Sequence, residues 1–122
     1  MNEEIICSYS REQALEDGVL VDVTDEAKKA GFKYPFAMTA EVWNVINSIP
    51  EEHSYESKAG RLWDVLMLAM MRIRTLKTDT DLIMFEVILH NNMMHDTVEL
   101  KLLIGPGDTV DPVFTLMFPN QD

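Results

Sequence analysis

Apolar residues in the middle of the chain recur with the spacing of helices. The first group lies at i, i+3, i+4 and i+7: Val42, Val45, Ile46 and Ile49. This pattern predicts an amphipathic helix that begins after an N-cap at Thr39 and ends at Pro50. A second group repeats at steps of four and three from Lys58 onward: Leu62, Leu66, Ala69, Ile73 and Leu76. It predicts the longest helix, placed centrally in the fold.

The period changes from about 3.6 to 2 in the last third of the chain. One set of alternating apolar positions is Ile83, Phe85, Val87 and Leu89, and the next is Val98, Leu100, Leu102 and Ile104. We predict two strands joined by a turn at 91–96, followed by a Gly105-Pro-Gly-Asp turn and a third strand over 113–118.

Short elements are predicted in the first third of the chain. Residues 4–9 are of strand type, and Ser10 caps a two-turn helix that Gly18 ends. A strand follows over 19–23, and then a helix over 26–30 with Thr24 or Asp25 as its cap and Gly31 at its end. We expect an extended stretch over 32–38 and a loop over 51–57.

These patterns predict an α+β fold. Short helices and one long central helix pack on a C-terminal three-stranded antiparallel meander. A length of 122 residues predicts a single domain over 1–122, because globular domains most often have about 100–150 residues.

Charge is the unusual feature of the composition. The formal net charge is −11, while hydrophobic residues make up an ordinary 47% of the chain. A negative surface repels phosphate backbones and anionic lipid, so we expect no direct nucleic-acid or membrane binding and favour a basic protein partner. The alternative is that the charge serves solubility alone.

The location that we expect is cytoplasmic. Apolar runs fall short of the roughly 18–20 residues that cross a bilayer, and the amino end is acidic where a signal peptide is basic. One cysteine, Cys7, cannot form an internal disulfide. We interpret it as a buried, inert thiol rather than a nucleophile.

A weak metal site is the main chemical possibility in the sequence. His90 and His95 flank the predicted turn beside Asp96, and a third ligand would have to come from elsewhere, such as His53. The spacing matches no strong metal motif, so polar turn residues are the favoured interpretation. Since no catalytic constellation or phosphate loop is found, we expect no enzyme activity and no cofactor.

Protein contact is better indicated. Arg61 can form an ion pair with Asp64 at i, i+3. The alternative is that Arg61, Trp63 and Asp64 form a contact site for another protein, because tryptophan and arginine are enriched at such sites. Trp43 is a candidate contact residue for the same reason. Met93 and Met94 lie in a turn, where exposure is expected.

Five segments together resemble a known family. They are Tyr9-Ser-Arg-Glu-Gln-Ala-Leu-Glu-Asp-Gly-Val-Leu-Val-Asp-Val23, Ala30-Gly-Phe-Lys-Tyr-Pro35, Thr39-Ala-Glu-Val-Trp43, Gly60-Arg-Leu-Trp-Asp-Val-Leu66 and Gly105-Pro-Gly-Asp108. They are similar to small bacterial proteins of unknown function, often carried on plasmids, phages and other mobile elements. The recurrent residues that match are Arg11, Asp17, Gly18, Asp22, Trp43, Arg61, Trp63 and Asp64. Residues 36–38 and the methionines at 93–94 depart from the family pattern.

Three hypotheses for the function follow. The first is an accessory protein that binds a basic partner, such as a mobile-element inhibitor of a host nucleic-acid-handling or defence protein. The second is a structural or regulatory module that self-associates as a homodimer. The third is a small enzyme or metalloprotein that uses His53, His90, His95 or Cys7.

Overall fold

The first described helix is specified by its own sequence. In the computed structural model, which describes residues 10–76, 80–91, 95–109 and 111–121, helix α1 spans Arg11–Glu16. Ser10 and Gln13 form a reciprocal capping box at its start. Gly18 follows with φ +78°, which confirms the predicted glycine stop. The predicted strand at 4–9, Cys7, Met93 and Met94 lie outside the described residues.

A short strand and a second helix come next. Strand β1 spans Leu20–Asp22 and helix α2 spans Thr24–Ala30. The predicted cap at Thr24 or Asp25 is wrong: Val23 is the N-cap without a side-chain bond, and the Asp22 carboxylate accepts from the Thr24 N–H. Helix α2 therefore begins two residues earlier than predicted. Gly31 ends it with φ +109°, as the sequence predicts.

The central helices agree closely with the predicted periods. Strand β2 spans Phe36–Thr39, helix α3 spans Ala40–Asn47 with Thr39 as its cap, and helix α4 spans Lys58–Thr75 with Ser57 as its cap. The segment predicted as a loop contains a 3₁₀ turn at Glu51–His53. Helix α3 ends before Pro50, because the residue before a proline is disfavoured in helical backbone.

The last third forms the predicted strands with shifted boundaries. Strand β3 spans Leu82–Ile88, β4 spans Thr97–Pro106 and β5 spans Pro112–Met117. Gly105 and Pro106 were predicted in a turn, but they pair with Val113 and Pro112 as the end of β4. The turn itself therefore begins at Gly107.

The sheet is larger than the predicted meander. Its strand order is β1-β2-β5-β4-β3, with β2 parallel to β5 and the other pairs antiparallel. The α+β class is confirmed, and the two N-terminal strands extend the C-terminal meander into a five-stranded mixed sheet.

One face of this sheet carries the main core. Helices α2, α3 and α4 pack there, and the alternating residues Ile83, Phe85, Val87 and Leu89 point into the same cluster. Helix α1 lies on the opposite face, where the Arg11 guanidinium donates to Thr115 Oγ1 and to the Phe114 carbonyl. Strand β2 lies between β1 and β5, and all four of its residues are buried.

Candidate functional site

A groove between helices brings the two tryptophans together. Trp43 on α3 and Trp63 on α4 line it, with α2 forming the third side. Its volume is about 440 Å³, and the other lining residues are Glu26, Lys29, Asn47, Lys58, Ala59 and Leu62. Trp63 is 42% exposed, while Leu62 is buried. An open apolar groove with aromatic walls suits the insertion of one or two side chains from a binding partner.

The charges at this groove are mixed. Glu26 contributes one carboxylate to its lining, and Lys29 and Lys58 contribute two cations. Asp25 and Asp64 are exposed and are adjacent in the chain to Glu26 and Trp63, but neither of them lines the groove. The groove can therefore accept an apolar anchor, and its own lining is not acidic.

Arg61 is buried rather than available for contact. Its side chain is 5% exposed and donates three hydrogen bonds, to the Ile46 carbonyl at 2.7 Å, the Val45 carbonyl at 3.0 Å and Glu56 Oε1 at 2.8 Å. The predicted pairing with Asp64 is wrong among the described residues, because Glu56 takes that place. Arg61 therefore ties the loop after the 3₁₀ turn to the end of α3.

Two histidines stack near this loop. The rings of His53 and His90 are 4.0 Å apart between centroids and within 2° of parallel. Glu56 lies beside them, and one ligand atom from each of the three residues lies within 4.8 Å of the others. His95, which the sequence placed with His90, is exposed and not part of this group. The sequence did not predict Glu56, although it lies three residues after His53, because only the tertiary structure brings this turn to His90.

A carboxylate orients one of these rings. His90 Nδ1 is 3.0 Å from Asp96 Oδ2, across the ends of strands β3 and β4. This hydrogen bond with His90 lowers the pKa of the exposed Asp96 carboxyl below its ordinary value. His53 Nδ1 is 3.1 Å from the Tyr55 hydroxyl. Each Nδ1 therefore has a polar neighbour, and two imidazoles with a carboxylate can hold a divalent metal ion.

The remaining predicted contact residues lie around α1 and β1. The Arg11 side chain is directed to strand β5 as described above, and Asp108 accepts hydrogen bonds from the Arg11 and Glu12 backbone N–H groups. Burial lowers the pKa of Arg11, while the nearby Asp22 and Asp108 carboxylates oppose that shift. Asp17 is the C-cap of α1, and the Asp22 carboxylate accepts from the backbone N–H of Thr24, the first residue of α2. The structure thus gives Arg11, Asp22 and Arg61 clear intramolecular roles.

The acidic residues form an almost uniformly exposed set. Among the described residues, every Asp and Glu except Glu56 is exposed, whereas Arg61 is buried and Arg11 and Lys101 are partly buried. The surface is therefore still more negative than the composition suggests. No described helix is long and apolar enough to cross a membrane.

Comparison with known proteins identifies a family for this chain. The family described as "Family of unknown function (DUF6573)" matches the chain over residues 1–122. Neither the comparison with curated proteins nor the comparison with solved structures found a match.

Proposed function

Because the chain belongs to the DUF6573 family, whose function is not established, we propose a function from its own geometry: it is an acidic accessory factor that binds a basic protein. The observation that carries this proposal is the groove walled by Trp43 and Trp63. Tryptophan is enriched among the residues that dominate binding energy, above all where it fills or lines a desolvated pocket.

The partner has two features in this proposal. An apolar or aromatic side chain enters the groove, because Lys29 and Lys58 at its edge repel a cation there. Lys or Arg residues around that anchor meet Glu26 in the groove and exposed carboxylates elsewhere on the surface. The tryptophans supply affinity, and the net charge of −11 supplies a fast, salt-dependent encounter.

The proposal extends to a biological setting. We propose that the chain acts in the cytoplasm, without catalysis, as a mobile-element-encoded inhibitor of a host nucleic-acid-handling or defence protein. Proteins that handle nucleic acids present basic surfaces to phosphate. An acidic protein with an apolar anchor site can occupy such a surface, whereas nucleic acid itself is repelled.

The test is an affinity capture from host lysate at low salt, with stepwise salt elution and mass spectrometry. Trp63→Ala should lower the affinity for the captured protein by about tenfold or more, because truncating a central anchor costs roughly 2 kcal/mol or more. Met71→Ala is the matched control, since Met71 is 56% exposed on the same helix and lies outside the groove. The affinity of Met71→Ala for the captured protein should equal that of wild type.

Charge is tested separately with Glu26→Gln, because Glu26 is the carboxylate that lines the groove. Loss of a rim charge should slow association and weaken the salt dependence while dissociation stays nearly constant. Capture of the same basic protein by wild type and Trp63→Ala with equal affinity would reject the groove. Binding that does not weaken with salt would reject the acidic surface as the determinant of the partner.

Self-association is the second candidate, and one observation favours it. Strand β3 is at an edge of the sheet, and its outward residues Leu82 and Ile88 are 44% and 68% exposed. An exposed edge strand can pair with a second copy of the chain. Light scattering after gel filtration distinguishes self-association from binding of a basic partner. A dimer that forms through the strand should persist at high salt. A chain that is monomeric at all salt concentrations would rule out self-association.

A further inference from the structure

We propose that His53, Glu56 and His90 form a binding site for a divalent transition-metal ion of the zinc class. The three residues come from two segments: His53 and Glu56 lie three residues apart at the 3₁₀ turn, and His90 follows β3. Their ligand atoms lie within 4.8 Å of one another. The site is independent of the tryptophan groove and shares no residue with it.

The spacing is close to what a metal ion needs. Ligand atoms about 2.0–2.1 Å from a tetrahedral zinc ion are roughly 3.4 Å apart. The three side chains are half-buried, so small rotations of partly exposed groups can bring their atoms to that separation. A fourth position remains for water, as in sites with three protein ligands.

Neighbouring groups hold two of the ligands in suitable positions. Arg61 donates to Glu56 Oε1, and the other oxygen, Oε2, lies 3.6 Å from His53 Nδ1, so these two ligand atoms are already near the separation that zinc requires. Asp96 is hydrogen bonded to His90 Nδ1. A carboxylate on Nδ1 selects the tautomer with its proton there, so the Nε2 lone pair is available to the metal. This arrangement of histidine, carboxylate and ion recurs in metal sites.

The ligand types select the class of metal. Two imidazoles with one carboxylate suit zinc and the neighbouring first-row metals, whereas magnesium and calcium prefer oxygen ligands. The positive guanidinium of Arg61 opposes the ion, and the site lacks a fourth protein ligand. We therefore expect weaker binding than at closed structural zinc sites.

Binding has a structural signature. The lone pairs of an imidazole lie in the ring plane, so two parallel stacked rings do not both point at one ion. One of the rings of His53 and His90 must tilt when the metal binds. Zinc would then fix the 3₁₀ turn to the end of β3, joining the loop to the sheet.

The experiment is zinc titration of the full chain after treatment with a chelator, followed by calorimetry, thermal melting and NMR of the histidine ring protons. We expect one equivalent of zinc to bind, the melting temperature to rise, and the ring signals of His53 and His90 to shift together. His53→Gln and His90→Gln should each weaken binding by about tenfold or more, since even outer-shell changes cost about 10–100-fold.

His95→Gln is the matched control, because His95 is an exposed histidine outside the trio. It should bind zinc as wild type does. Glu56→Gln keeps an oxygen for Arg61 but removes the negative charge, and it should also weaken binding. Thermal melts with chelator show which variants are folded, and the two histidine variants test the site independently.

Several outcomes overturn the proposal. It fails if wild type binds no zinc, if magnesium competes equally, or if His95→Gln weakens binding as much as the trio variants do. The last result would indicate adventitious binding to surface histidines. None of these outcomes bears on the tryptophan groove, which is tested by partner affinity.

Discussion

Replacement of Arg61 is the most informative stability test of this fold. Its guanidinium is buried and forms three hydrogen bonds, two of them to carbonyls in the last turn of α3. The last four carbonyls of a helix lack intrahelical donors. Arg61 donates to two of these carbonyls and also donates a hydrogen bond to Glu56.

The cost of Arg61→Met follows from these contacts. The variant leaves the buried Ile46 carbonyl without its Arg61 donor, at about 1–3 kcal/mol, whereas the Val45 carbonyl keeps the Ser48 N–H at 3.2 Å. It also removes one partner of a largely buried ion pair with Glu56. We expect the free energy of unfolding to fall by about 3–5 kcal/mol, the range measured when one partner of such a pair is removed. This is a large part of the roughly 5–15 kcal/mol typical of a domain. Arg61→Lys should lose about 1–3 kcal/mol, because one ammonium cannot replace a planar fork with three separate acceptors.

The assay is urea unfolding followed by circular dichroism and tryptophan fluorescence. Arg72→Met is the control on the same helix, since Arg72 is exposed and makes one long contact, 3.4 Å from Nε to the Met84 carbonyl. It should change stability by less than about 0.5 kcal/mol. A loss below about 1 kcal/mol for Arg61→Met would contradict this expectation, because the Ile46 carbonyl and Glu56 would then have found other partners.

Two further predictions concern backbone conformation and charge. Gly31→Ala should destabilise more than Gly18→Ala in thermal melts, because φ +109° at Gly31 lies farther than φ +78° at Gly18 from the left-handed minimum near about +57°; equal losses would refute this. In metal-free protein, NMR titration of the Asp96 carboxyl should give a midpoint below 3.8, and His90→Gln should raise it. Because the folded pKa is lowered, the stabilising contribution is present above pH 3.8 and is lost as the pH falls through the lowered value. An unchanged midpoint in His90→Gln would show that the histidine does not cause the shift.

Local features of this protein were predictable because their causes are local. Ser10, Thr39 and Gly31 act within a turn of their own positions, and a cap or a left-handed glycine needs no distant partner. The helix and strand periods likewise identified α4 and β3 with their buried faces. The predicted cap of α2 was wrong because a residue outside the helix contributes there: Asp22 lies on β1, and its carboxylate accepts from the Thr24 N–H at the start of α2.

The chain alone determined the elements, the α+β class and the acidity, since periodicity and charge are read directly from residue order. Tertiary structure decided which distant residues meet. It joined β1 and β2 to the meander through the parallel pairing of β2 with β5. It also placed Trp43 beside Trp63 and His53, rather than His95, beside His90. The physical reason is that these contacts depend on how faces pack across the core, and each face offers the same local pattern to several possible neighbours.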